Sequence, residues 1–545
     1  MLFKKPKLIP WLKLRVMAKK FVISIESVIF KADFFEIWSK IIKIKEKNKY
    51  MKSSIFYCMI PQKPLEYITS TGLMSRDYRT VQSGSVFFVC SKDMPEEEAL
   101  FFLEQARLRG AIYSLVDFEL YERIRDKIDK KFLLPVDDTT MCWSYLARLL
   151  YPSKLQNAVA VTGTSGKTTV SWFYSQFIAA LKGECLYVGT LGAFNIFPKC
   201  KKKKIATTLT TPDALDLSKI LTNHTGYGCL EASSHGLDQN RLAHLKFTIG
   251  CFTNLSLDHL DYHLNMRRYF TAKKKLFNMT KKAVINCDTK YGKILIKDLL
   301  EHEVLTYGRS NHADVQLIGV EPNKSISLQY KGKIYKFPST LIGAFNYENF
   351  TAAIALLIMN GFTPEDAEMA SHSLILPTGR LTKLAGRPEV YIDYAHKPDA
   401  LRKVLIAFTE YRNYKKKGNI WLVFGCGGSR DMRKRAIMGS IAAKYADKIV
   451  VTDDNPRHEY PGDIRSAIIS GIFAQAPHKP YYNIEDRQSA IEYAIASADS
   501  TDIIIIAGKG HENYQQIGDK KHRFSDIAAA KATLRRRRRG KVILK

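Results

Sequence analysis

Gly163-Thr164-Ser165-Gly166-Lys167-Thr168-Thr169 combines the residue types that phosphate chemistry needs. Glycines let backbone N–H groups approach an anion, a lysine reaches the β- and γ-phosphates, and a threonine hydroxyl ligates Mg²⁺. The usual phosphate loop carries a glycine five residues before its second one; here Val161 holds that place and the loop is shorter. Two other clusters follow downstream: Glu231-Ala-Ser-Ser-His235, and Thr253 to Asp261 with Asp258, His259 and Asp261. Carboxylates and an imidazole near such a loop suit Mg²⁺, directly or through water, and phosphoryl transfer depends largely on positioning and charge neutralisation. Each cluster alone would read as helix caps or turn formers. Three after three strands in one region point to phosphoryl transfer.

The elements that must position these residues alternate. Ala158–Thr162 is a short run of β-branched and small apolar residues, a buried strand, and VSWFYSQFIAAL after Lys167-Thr168-Thr169 reads as a helix. GCLEASS, TIGCFTNLS and KAVINCD read as further strands of the same unit, which spans residues 150–376. A smaller α/β unit precedes it at 53–149, with GSVFFVCS and AIYSLVD as strands and EEEALFFLEQARLRG as a helix. A third begins at Pro377, with strands VYIDYAH, NIWLVFGCGG, KIVVTDDN and DIIIIAGKG and helices between them. The fold class expected is α/β: a small N-terminal domain, a central P-loop domain with a mainly parallel sheet, and a C-terminal Rossmann-like domain at 377–534. Sites in such folds lie at strand C-terminal ends, where these motifs fall.

Composition narrows the class. A chain of 545 residues, 46% hydrophobic and 25% charged, has the balance of a soluble globular protein with several cores. No run of 18 apolar residues occurs, so no membrane span is expected. The nine cysteines are scattered singly, without a C-x-x-C pair, which argues against structural zinc or a disulfide framework and for a reducing compartment. The net charge of +31 is concentrated at the ends: residues 1–52 carry 14 Lys/Arg against 4 Asp/Glu, and Arg535–Arg539 with Lys541 and Lys545 add seven cations. Residues 1–52 read as a peripheral basic extension and 535–545 as a basic tail. No zinc-finger or RNA-recognition signature accompanies the charge, and solvated surface lysines explain it more simply than nucleic acid.

The order GTSGKTT, TTPDA, EASSHGLDQNR, FTNLSLDHLDYH, AFNYEN, DYAHKPDAL, FGCGGSRD, DDNPR and GKGHENYQ, between about residues 66 and 530, resembles the Mur ligase family. Within it the likeness is to the branch that joins meso-2,6-diaminopimelate to UDP-N-acetylmuramoyl-L-alanyl-D-glutamate. The resemblance implies a cytoplasmic, monomeric, ATP- and Mg²⁺-dependent ligase of peptidoglycan precursor synthesis, with no nucleic-acid or membrane partner. A carboxylate is a poor electrophile, so the implied route phosphorylates it to an acyl phosphate. The incoming amine then displaces phosphate in a site closed to water.

Roles follow by resemblance, position by position. Gly163, Thr164, Ser165, Gly166, Lys167, Thr168 and Thr169 cradle the nucleotide phosphates, with Lys167 catalytic and Thr168 on Mg²⁺. Glu231 is implied as the first-metal carboxylate and His259 as the second-metal ligand. Lys273 matches the family's carbamylated lysine, whose carbamate is an anionic oxygen ligand for Mg²⁺; local sequence alone does not separate it from Lys274 and Lys275. Asn346 and Asn349 fall at the adenine end, and His396 and Asp399 reach the nucleotide from the C-terminal domain. Thr210, Thr211, Ser233, Gln239 and Arg241 contact the UDP-muramoyl dipeptide. Arg430, Asp454, Asn455, Arg457, Gly508 and Glu512 form the diaminopimelate pocket. There Arg457 pairs the extra carboxylate that distinguishes diaminopimelate from L-lysine, and Glu512 faces the distal ammonium.

The chain departs from the family pattern at three places: Asp77-Tyr78-Arg79 replaces Asp-Ser-Arg, Ser429 replaces Asp in Gly428-Ser429-Arg430-Asp431, and Asn513 replaces Asp after Glu512. Two other functions share parts of the signal. A folylpolyglutamate- or cyanophycin-type ligase would keep the GT-x-GKTT core, but DYAHKPDAL, DDNPR and GKGHE disfavour the folate branch. A nucleic-acid-binding NTPase would use the basic ends, but neither end interleaves aromatic residues as single-strand binders require.

Overall fold

The computed structural model describes residues 60–90, 94–205 and 209–540. The basic extension at 1–52 and Lys541–Lys545 lie outside them. Four sheets organise the described chain.

The first has four parallel strands, Met74–Ser75, Val86–Phe88, Tyr113–Asp117 and Leu133–Val136, flanked by helices that include Glu96–Leu108 and Thr139–Leu150. The last helix starts where Asp138 accepts the N–H groups of Thr140 and Met141 at 3.0 Å each, an N-cap that satisfies donors the first turn cannot. It carries the N-terminal sheet onto the next one: Trp143 Nε1 donates to Asp213 at 3.0 Å and Arg148 Nη2 to the carbonyl of Arg241 at 2.7 Å.

The second sheet has eleven strands, and its middle is parallel. In spatial order that stretch runs Val315–Glu321, Glu303–Gly308, Lys282–Asn286, Ile249–Phe252, Leu155–Thr162, Gly226–Glu231 and Cys185–Gly189. Antiparallel strands extend both edges: Ser325–Tyr330 and Lys333–Pro338 on one side, Gly192–Ile196 and Lys202–Ile205 on the other. The helix Lys167–Lys182 is buried from Thr168 to Ala179, apolar nearly all round. Such a helix needs cover on every side, and it packs on the sheet beside the helix Ala344–Met359, in one core with Val159, Cys229 and Phe350.

The third sheet has six strands, five of them parallel: Glu389–Asp393, Ile503–Ala507, Ile420–Phe424, Lys448–Val451 and Tyr481–Asn483, with Thr382–Leu384 antiparallel at the edge. IWLVF and IIIIA are continuous apolar runs because helices cover both faces. Ile342 and Phe345 of the central part pack into this third core. A hairpin, Tyr514–Ile517 with Lys520–Arg523, forms the fourth sheet.

The mixed α/β architecture with mainly parallel sheets agrees with the sequence expectation. The arginine run is a correction. Asp526–Arg538 is one helix, so Arg535–Arg538 form its last turn instead of a separate tail. Arg536 pairs with Glu492, Arg537 caps carbonyls of Ile495 and Ala496, and Leu534 is buried. Among the described residues no helix is long and apolar enough to cross a membrane.

Candidate active site

Strand Leu155–Thr162 ends in the GTSGKTT turn, whose glycines are demanded by space. A Cβ on Gly163 would collide with the Thr253 hydroxyl, and one on Gly166 with the Asn349 carboxamide; both have positive φ, +148° and +88°. The neighbouring strand's loop braces the turn. Thr164 N–H donates to the Asn254 carbonyl (2.9 Å), Ser165 N–H to Asn254 Oδ1 (3.0 Å), and Thr253 Oγ1 to the Ser165 carbonyl (2.6 Å). Thr169 is buried at the start of the helix.

Two amines meet on one carbonyl. Lys167 Nζ and Lys273 Nζ each donate to Gly163 O at 2.8 Å, and Lys167 also reaches Thr164 O at 3.1 Å. Burial pulls the Lys167 ammonium below the ordinary lysine range, partly opposed by the charge of Glu231. Burial, with the charge of Lys167 next, drives the Lys273 amine well below that range. The three consecutive lysines thus have different fates: Lys273 is 1% exposed at the loop, whereas Lys274 pairs with Asp298 and Lys275 with Asp238, each at 2.7 Å.

Glu231 ends its strand 1% exposed and gathers hydroxyls. Thr168 Oγ1 and Thr190 Oγ1 donate to Oε2 at 3.0 Å each, and Tyr187 OH and Thr190 N–H to Oε1 at 2.5 and 3.0 Å. Tyr187 and Thr190 were missed in the sequence, because their hairpin carries no recognisable motif. Among the described residues no three His, Cys, Asp or Glu side chains gather as a self-sufficient metal cluster. Mg²⁺ asks for less: it takes one or two carboxylates and completes its shell with phosphates and water. The Thr168 hydroxyl beside Glu231 fits that requirement.

His259 sits in the left-handed region (φ +51°), with its imidazole 3.3 Å from Asp258 Oδ2 and 4.8 Å, ring to ring, from His235. Burial brings its pKa down to about 4, against the opposing pull of Asp258, leaving a neutral ring with a lone pair for a cation. Tyr269 links this ring to the loop: its hydroxyl is 3.1 Å from Thr164 Oγ1 and Lys273 Nζ lies 4.6 Å from its ring centroid. Asp258 also pairs with Lys397 at 2.5 Å, an ion pair between the second and third sheets' parts of the chain.

The residues assigned to the dipeptide substrate form one chain of contacts next to Glu231. Thr210 Oγ1 lies 3.1 Å from Thr190 Oγ1; Thr211 Oγ1 donates to the Glu231 carbonyl (2.7 Å) and lies 3.0 Å from Ser233 Oγ. Arg241 Nη1 donates to the Thr211 carbonyl at 2.8 Å and Nη2 to Gln239 Oε1. At the departure Asp77-Tyr78-Arg79, Arg79 pairs with Asp77 at 2.7 Å and the Tyr78 ring stacks on Phe102 at 5.4 Å. Tyrosine there joins an aromatic cluster with Phe101 and Phe102.

The residues assigned to the adenine end are less convergent. Asn349 abuts Gly166, whereas Asn346 donates to the carbonyl of Ile342, just before its own helix, at 2.9 Å. His396 is held by the Tyr394 carbonyl at 2.8 Å, and burial takes its pKa to about 4. Asp399 is paired with Arg402 and Lys403, at 2.8 Å each.

A second constellation lies at the C-terminal ends of the third sheet. Arg457 Nη1 donates to the Gly428 carbonyl at 2.7 Å. Its backbone, at φ +54°, is pinned to the hairpin by Arg457 N–H to Gln516 O (3.1 Å) and Gly518 N–H to Arg457 O (2.7 Å). Asn455 Nδ2 donates to Glu512 Oε2 at 3.1 Å. Gly508 is required beside Asp454, because a Cβ there would stand 2.6 Å from Asp454 Oδ2. Arg430 is exposed on the neighbouring loop, in which Ser429 has φ +52° and its N–H is taken by Glu459.

A glycine turn opening onto a buried helix, with a carboxylate and imidazole on adjacent strand ends, defines a nucleotide-phosphate site. Beside it stands a polar pocket on a second α/β sheet. The Mur ligase middle domain matches residues 161–357, and the Mur ligase glutamate ligase domain matches residues 379–510. A UDP-N-acetylmuramoyl-L-alanyl-D-glutamate–2,6-diaminopimelate ligase of Rickettsia bellii (strain RML369-C) is 36% identical over 470 residues, 84% of this chain and 94% of its own. The ligase of the same name from Neisseria meningitidis serogroup A / serotype 4A (strain DSM 15465 / Z2491) is 41% identical over 383 residues, 67% of this chain and 75% of its own. A solved structure of a ligase so named superposes with TM-score 0.59 at 31% identity, covering 86% of this chain and 95% of that one. The chain belongs to the Mur ligase family.

Proposed function

We infer that this chain is an ATP-dependent ligase that adds meso-2,6-diaminopimelate to UDP-N-acetylmuramoyl-L-alanyl-D-glutamate in peptidoglycan precursor synthesis. The observation that carries the reading is the 36% identity to the Rickettsia bellii ligase across 94% of that protein, which spans both constellations. We propose a division into a UDP-substrate domain at 53–149, an ATP domain at 150–376 and an amino-acid domain from 377 onward, with residues 1–52 peripheral. The protein acts as a monomer in the cytoplasm, where UDP-linked precursors are made.

In this reading the GTSGKTT amides and Lys167 hold the triphosphate, while Arg241 and its threonine chain hold the dipeptide with its γ-carboxylate toward the γ-phosphorus. A carboxylate oxygen bonds to that phosphorus, the bond to the β-bridging oxygen breaks, and ADP leaves. The diaminopimelate amine then attacks the acyl carbonyl, the C–O bond to phosphate breaks, and the amine proton is lost as the amide forms. Lys167 neutralises charge that develops on the moving phosphoryl group. Thr168 and Glu231 would hold one Mg²⁺, and His259 with Lys273 as a carbamate a second; these ions would screen phosphate charge when bound. Burial that disfavours the charged amine suits Lys273 to carbamate formation, since CO₂ adds only to an unprotonated amine, and the resulting anion would be attracted to Lys167.

Inorganic phosphate release from the purified protein tests the function. Release should require ATP, the UDP-muramoyl dipeptide and meso-diaminopimelate together, and L-lysine should support it poorly. Equal efficiency with L-lysine would overturn the specificity; no dependence on the dipeptide would overturn the ligase reading.

A further inference from the structure

Lys509 belongs to no role assigned above, yet it is the best-buried charge of the amino-acid pocket, with its side chain 0% exposed. Its Nζ donates to Asn455 Oδ1 at 3.0 Å and to Glu512 Oε2 at 3.1 Å, and lies 5.5 Å from the centroid of the Tyr514 ring. A buried ammonium is tolerated only with such partners. The consequence for Asn455 is specific. Its Oδ1 accepts two donors, Lys509 Nζ and the Gln516 N–H at 2.9 Å. A carboxamide held by two donors on one side can present only its NH₂ on the other. That NH₂ spends one hydrogen on Glu512 Oε2 at 3.1 Å, leaving the second for a ligand. Glu512 Oε2 thus accepts from both Asn455 and Lys509, while Oε1 has no described partner and Glu512 keeps 19% of its side chain exposed.

We propose that Lys509 is a positioning residue for the incoming amino acid. By fixing the face of Asn455 that donates, and by holding Glu512 through one oxygen only, it leaves a donor for a substrate carboxylate. The free Glu512 oxygen is left for a substrate ammonium, arranged before the substrate arrives. Preorganisation of this kind appears as affinity for one substrate, because the ordering cost is already met. The proposal rests on the reading of this pocket as the amino-acid site.

The test is steady-state phosphate release by the full chain, with each substrate varied in turn, for wild type, Lys509→Met, Asn455→Ala and the double variant. Wild-type activity that depends on diaminopimelate establishes the underlying reading; its absence would sink that reading before Lys509 is tested. Given wild-type activity, Lys509→Met should raise KM for meso-diaminopimelate at least tenfold and leave KM for ATP and for the UDP-muramoyl dipeptide within twofold. In the Asn455→Ala background the same substitution should raise it less than threefold, since much of its effect passes through Asn455. A KM for diaminopimelate within twofold of wild type would overturn the proposal, as would a parallel rise for all three substrates. If Lys509→Met does not fold, Lys509→Arg decides. It keeps the charge against Glu512 but cannot seat one nitrogen between the two partners, so the same selective KM rise is expected, and an unchanged KM refutes the proposal.

Discussion

The phosphate turn and the proposed amino-acid pocket solve the same problem, holding charge in a fixed place, in opposite ways. The turn is one contiguous stretch between a strand and a helix, and its own lysine leans on its own backbone: Lys167 rests on Gly163 O, where the amine of Lys273 also arrives from another helix. The pocket draws on the Gly428 loop, on Asp454–Arg457, on Gly508–Glu512 and on the hairpin at Gln516, joined by side chain to backbone and side chain to side chain bonds. A contiguous cradle serves a ligand part shared by all NTP users. An assembled pocket can be altered one segment at a time, as a specificity site requires. Damage to the turn should therefore abolish chemistry for every amine, and damage to the pocket should discriminate between amines.

The largest effect is expected from Lys167→Ala, a loss of about 10²–10³-fold or more in kcat with every amine tested, since it removes a charge-stabilising donor from the phosphoryl group. Thermal melting should show a folded variant; near-normal phosphate release would refute a catalytic turn. Lys273→Ala should lose about 10²-fold or more by the same comparison, with partial recovery on adding formate or acetate, while Lys274→Ala, whose target is the Asp298 pair, keeps most activity. The reverse ranking of the two lysines would contradict the placement at Gly163. Arg457→Ala should cost about 2–5 kcal/mol in kcat/KM for meso-diaminopimelate and far less for any residual L-lysine activity. Equal losses for the two amines would remove the contrast. The smallest effect is expected from Lys397→Ala. Its partner Asp258 is 14% exposed but Lys397 itself is 40% exposed, so the half-solvated pair is worth about 1 kcal/mol. A fall beyond about tenfold (roughly 1.4 kcal/mol) would make the ion pair part of the catalytic machinery.

Legibility in the sequence follows the same contrast. The turn, its strand and its helix could be read from GTSGKTT and its neighbours because strand, glycine and buried-helix signals are all local. So could the parallel strands IWLVF and IIIIA. The edge strands Ser325–Tyr330 and Lys333–Pro338 carry mixed polarity and no motif, and were not foreseen; neither was the hairpin Tyr514–Ile517 with Lys520–Arg523. The arginine run shows where composition misleads: a charge run looks like a solvated tail, but the helix was set upstream by the Ser525 cap and the burial of Leu534. Among three adjacent lysines, only tertiary contacts separate Lys273 at Gly163 from Lys274 and Lys275 at surface carboxylates. Lys509 lies within GKGHENYQ, but its bond to Asn455 joins residues far apart in the chain, which local sequence does not show.

The central claim is that the turn makes an activated acyl group which the pocket then hands to an amine. It is tested most directly by following oxygen. The D-glutamyl γ-carboxylate of the UDP-muramoyl dipeptide is labelled with ¹⁸O in both positions, and the phosphate released during ligation is analysed by mass spectrometry, for wild type and Arg457→Ala. The account predicts one labelled oxygen per phosphate in both proteins, with only the rate of release reduced in the variant. Unlabelled phosphate accompanying amide formation would contradict it, because the carboxylate oxygen would then never have been bonded to phosphorus.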